Sequence, residues 1–127
     1  MTGWVVLDTT PVPDPAADHA TTPSWGLARV RGDSMRPALR PGDVLLVRYG
    51  GTVRPGAVVV ARFADGTLAV KRAAEARSTR TGGPGWWLLS DDPERGVDSR
   101  HRGPVPAADV TGVARLRLWP RPGRVPH

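Results

Sequence analysis

Glycine or proline interrupts this chain so often that few stretches are left for a helix of ordinary length. Its 127 residues include 15 glycines and 14 prolines, and both types weaken or break helix interiors. Between the breaks lie short apolar, β-branched runs at 25–30, 43–48, 57–63, 67–72, 86–89 and 110–118, whose composition suits strands. Asp65-Gly66 is a hairpin signal joining 57–63 to 67–72. These features predict a mainly β fold, a coiled antiparallel sheet or small barrel, in one domain with a modest core. One short helical turn is expected after Ser34, over Met35–Leu39, stopped by Arg40-Pro41-Gly42. Another helical possibility lies at Pro106–Asp109, and the polar stretch 73–84 reads as an excursion from the sheet.

Residues 1–7 can supply a short strand, whereas 8–24 are rich in Pro, Ala, Thr and Asp and bury little surface. The expected organisation is an N-terminal arm or linker over 1–24, a domain over 25–120 and a tail over 121–127. No window approaches the roughly 18–20 apolar residues that span a bilayer, and no basic-then-apolar signal sequence is present. The expectation is a cytoplasmic protein without membrane contact. The formal charge is +6, but the arginines are dispersed and do not alternate with aromatics as in a nucleic-acid module. They are read as compositional bias that favours solubility. There is no cysteine, and His19, His101 and His127 have no zinc spacing, so neither metal nor cofactor is expected.

The chemistry concentrates in two residues. Ser34 follows a glycine turn and opens the short segment that Pro41 ends, where backbone N–H groups collect and favour negative charge. Lys71 is the single lysine beside 17 arginines. Arginine stays protonated and meets any need for surface charge, whereas a buried lysine can release its proton and act as a base. Lowering a lysine from about 10.4 to 7–8 corresponds to roughly 4 kcal/mol of differential interaction, and burial in an apolar strand is the usual means.

Val30-Arg31-Gly32-Asp33-Ser34-Met35-Arg36-Pro37, then Pro41-Gly42-Asp43, Val70-Lys71-Arg72, and Asp98-Ser99-Arg100 with Gly103 and Val105-Pro106 resemble, in order and spacing, the boxes of the signal-peptidase-like Ser/Lys proteases. Within that group, compact size, Gly85-Trp86-Trp87 and Leu118-Trp119-Pro120 most resemble the maturation proteases of nickel-type superoxide dismutase. The resemblance covers about residues 27–120 and implies a signal peptidase or SOS-repressor protease fold. It implies Ser34 as nucleophile and Lys71 as general base, with the Ser34 backbone N–H in an oxyanion hole. A hydroxyl that the family often carries two residues before the nucleophile is here Gly32, which is assigned to the tight turn.

By the same resemblance Ser99 orients the lysine, Asp98 and Arg100 pair to shape their loop, and Met35 lines the pocket for the residue before the cut. The implied partner is a precursor protein losing an N-terminal extension, with the nickel superoxide dismutase precursor favoured. Two alternatives stand beside this reading: a self-cleaving regulatory domain of the SOS-repressor type, and a non-catalytic β-rich binding module. A Ser-His-Asp triad would need His101 or His19, and nothing in the sequence links either to Ser34.

Overall fold

The computed structural model describes residues 5–8 and 24–125. Most of the expected arm, with His19, and also His127 lie outside these residues. The chain forms a nine-stranded sheet from β1 (Val5–Asp8), β2 (Ser24–Arg29), β3 (Val44–Tyr49), β4 (Val58–Arg62), β5 (Leu68–Ser78), β6 (Pro84–Leu89), β7 (Val105–Pro106), β8 (Val110–Trp119) and β9 (Gly123–Arg124). Strand order is β1-β2-β3-β8-β4-β5-β6-β7, with β9 also on β8, and each pairing is antiparallel.

The expected mainly β architecture is thus present, and the sheet is curled. Curling follows from burial on β4, where Val58, Val59, Val60 and Ala61 are all enclosed. Successive residues of a strand face opposite sides, so four in a row require cover on both. Leu45, Val47, Val70, Ala73 and Leu88 extend this core. Gly112 lets β8 approach β3 closely: a Cβ there would lie 2.6 Å from Val47 Cγ1.

The stretch 73–84 is not an excursion. β5 runs on to Ser78 and returns through a turn at 79–83 into β6, pairing Ser78 with Pro84. Its outer half, Glu75–Ser78, is exposed, so polarity there marks a strand that projects beyond the core. Arg77 stacks on Trp87 at 3.9 Å, a cation–π contact that shields the projecting hairpin. A four-residue helix, α1 (Ser99–Arg102), occupies what reads in sequence as a polar loop. Asp98 is its N-cap, accepting from Arg100 N–H at 3.0 Å, while His101 Nδ1 accepts from Asp98 N–H at 3.3 Å. Such a reciprocal cap lets even one turn of helix hold. Ala107–Asp109 form a 3₁₀ turn. Within the expected tail, Gly123 pairs with Arg117.

Candidate active site

Ser34 sits in a loop between β2 and β3 whose neck is closed by Val30 N–H to Asp43 O and Gly42 N–H to Val30 O, both 2.8 Å. Gly32 adopts φ 73°, a conformation side chains disfavour, which allows the tight entry. After Ser34 the chain makes a single turn, with Leu39 N–H donating to Met35 O at 2.9 Å. Met35 and Leu39 anchor this turn in the core. Ser34 is buried at 4% exposure. Among the described residues no hydrogen bond occupies its N–H or its hydroxyl.

Lys71 lies mid-β5, paired with Val59 of β4, and is 1% exposed. Burial lowers its pKa from 10.5 to about 8; the Asp98 charge opposes that shift and the Arg100 charge assists it. Its ammonium donates to Ser90 Oγ at 2.9 Å. The register explains this partner. Arg72 opposes Leu89 and Ala73 opposes Leu88, so one step beyond the strand end Ser90 falls opposite Lys71 on the same face. Ser99, expected to orient the lysine, instead accepts from Leu88 N–H at 2.9 Å. The hydroxyl beside Lys71 is therefore one the sequence reading did not single out. Its signal was available only through register, and a bulge between Ala73 and Glu75 hides that register from simple counting along the hairpin.

Residues 90–92 draw the site together, because each is held by a different part of the molecule. Ser90 takes the lysine side chain and donates its own N–H to Asp98 Oδ2 at 2.9 Å. Asp91 accepts a two-pronged bond from Arg72, at 2.8 and 2.7 Å, while the same guanidinium donates to Gly56 O at 2.8 Å. Asp92 N–H donates to the Ser34 carbonyl at 2.8 Å. The Ser34 loop and the Lys71 strand thus meet on one three-residue clamp, spanning at most roughly 7 Å of extended chain.

Asp98 is 0% exposed. Burial alone would push its carboxyl up, but hydrogen bonds from the Arg100 side chain and from Ser90 and Arg100 N–H, with the Arg100 charge, outweigh that and hold it below its ordinary value. Asp98 and Arg100 pair at 3.0 Å, and Arg100 also donates to Pro93 O at 2.7 Å. They shape the loop that carries Ser90. His101 packs beside Asp98 in the helix cap, and none of its described bonds leads toward Ser34. Among the described residues no group of three or more His, Cys, Asp or Glu is placed to hold a metal ion.

A buried lysine poised near neutrality, a serine with an unengaged hydroxyl, and a clamp tying their segments together can support proton transfer and nucleophilic attack. Residues 7–104 match the family described as Peptidase S24-like, and the chain belongs to that family. It is also 30% identical, over 110 residues, to the mitochondrial inner membrane protease subunit 1 of Xenopus tropicalis. That match covers 70% of this chain and 66% of the relative, just under two thirds of the relative's length. Among the described residues no helix is long and apolar enough to cross a membrane.

Proposed function

We propose that this chain is a serine endopeptidase in which Ser34 and Lys71 form the working pair. The observation that carries the reading is the burial of the single lysine, with its pKa drawn down to about 8, on the clamp that also holds the Ser34 carbonyl. Neutral Lys71 accepts the Ser34 hydroxyl proton as Oγ attacks the scissile carbonyl. The Ser34 N–H donates to the developing oxyanion. The tetrahedral adduct collapses as Lys71 passes the proton to the leaving amine, which departs and leaves an acyl-ester on Ser34. Lys71 then takes a proton from water, whose attack releases the acid and restores the hydroxyl. Gly32 gives the backbone its turn, Met35 backs the pocket beside the cut from within the core, and Asp98 with Arg100 holds the Ser90 loop.

Ser90 is the positioning residue for Lys71 in this scheme, and Ser99 supports it by fixing the Leu88 backbone beside it. Ser90→Ala is expected to lower kcat about 10- to 100-fold while KM stays close to native, because a small misplacement of a reacting group has a cost of that order. Ser90→Thr, which keeps the hydroxyl, should recover much of the loss.

The substrate is proposed to be a cytoplasmic precursor that loses an N-terminal extension, with the nickel superoxide dismutase precursor as the favoured case. Support comes from the sequence resemblance through Gly85-Trp86-Trp87 and Leu118-Trp119-Pro120. Trimming would expose a new N-terminal amine, a potential metal ligand on the substrate. Incubating the purified chain with that precursor and weighing the products by mass spectrometry tests the assignment. A single new N-terminus on the precursor is expected. An intact precursor beside a chain that has cut itself at alkaline pH would overturn it in favour of self-cleavage.

A further inference from the structure

β8 changes neighbours along one edge. It pairs with β4 through Val110–Val113 and with β9 at Leu116 and Arg117, so among the described residues no strand pairs with Ala114 and Arg115 on that edge. A cleft of about 520 Å³ opens at this gap, with Val58, Val113, Leu116 and Trp25 among its walls and Arg115 and Arg124 at its rim. Its apolar walls are not fully enclosed: Trp25 and Leu116 are exposed. Among the described residues, neither Arg115 nor Arg124 has a side-chain ion-pair or hydrogen-bond partner, and no carboxylate lines the cleft. A third cation, Arg48, lies 5.9 Å from the Trp25 ring centroid, with its Nε buried and without an acceptor. Two unpaired guanidinium groups over an apolar floor complement a carboxylate flanked by apolar side chains.

The cleft is close to Lys71 in the sheet. Val113 pairs with Val59, and Val59 with Lys71, which puts Val113 two strand spacings away on the same face, roughly 10 Å. Val59, between them, is fully buried, so this row is packed core and not a track for a bound chain.

Resting on the proteolytic reading above, we propose that this cleft docks an acidic, apolar segment of the polypeptide substrate. Arg115 and Arg124 take its carboxylate, and the wall formed by Trp25, Val113 and Leu116 takes the neighbouring apolar side chain.

The test measures binding on the full chain carrying Ser34→Ala, so that the probe is not cut. A fluorescent ten-residue peptide alternating glutamate and leucine is compared, by anisotropy, with the same peptide carrying glutamine for glutamate. The glutamate peptide should bind at least about tenfold more tightly, as expected for charge-assisted over neutral hydrogen bonding. Arg115→Gln with Arg124→Gln, both at exposed positions, should abolish that preference and leave the glutamine peptide unaffected. Trp25→Ala should weaken both. Equal affinity for the two peptides, or a preference that survives the double substitution, would overturn the proposal. So would a dimer that Trp25→Ala dissociates, since the cleft would then serve a second copy. Precursor cleavage by the native chain is read separately, so a failed docking site and a failed protease assignment give different results.

Discussion

Ser34→Ala is expected to cut precursor cleavage roughly 10⁴- to 10⁶-fold, the range seen when a serine nucleophile is removed. Folding should be almost unaffected, since no hydrogen bond of the described residues depends on that hydroxyl. Lys71→Arg should be comparably inactive, because guanidinium keeps its proton at any working pH. An arginine variant cutting at a tenth of the native rate would show that positive charge suffices, and the general-base role would fail. The pH profile carries the same information. Activity should climb about tenfold per pH unit below roughly 8 and level off above it, as the buried amine loses its charge.

The linked stability runs in the same direction. The folded pKa of Lys71, about 8, lies below its ordinary 10.5, so between these values the unfolded chain binds more protons. Stability contributed by this group therefore rises from about pH 8 to about 10.5, and below 8 the cost of the buried charge is present in full.

Asp98→Ala should have the largest effect on folding, about 3–5 kcal/mol, because it strands the Ser90 N–H and removes both the helix cap and the partner of Arg100. For a domain of this size that is roughly an 11–19 °C fall in Tm, measurable by calorimetry. The carboxyl is held below its ordinary value, so its contribution is complete above the unfolded carboxylate pKa and is lost as pH falls through the folded one. Asp98→Asn keeps the volume and one of the two backbone N–H acceptors, so its rate profile is read beside its Tm. Removing the negative charge that opposes the lysine's shift should move the acid limb of the rate profile to lower pH. An unmoved limb would mean that Asp98 acts on the fold alone.

Much of this was legible in local pattern. Glycine and proline spacing with β-branched runs located most of the strands, and the single lysine in an apolar strand marked Lys71 before any contact was known. Ser34 was visible from its turn. What escaped notice depended on relations between segments. Ser90 becomes the lysine's partner only through cross-strand register, and α1 exists because Asp98 and His101 cap each other around Ser99 and Arg100. The outer half of β5 looked like loop because strands projecting from a core carry polar residues, as Glu75 and Arg77 do.

The position of β8 has a further consequence. Ser34 follows β2, Lys71 lies on β5, and in the sheet the two halves bearing them join only through β8, which arrives after both in sequence. Before residues 110–119 are in place, only the 90–92 clamp, and no sheet pairing, ties the Ser34 loop to the strand of Lys71. Among the described residues, β8 is thus the strand on which the two halves of the sheet are registered against each other.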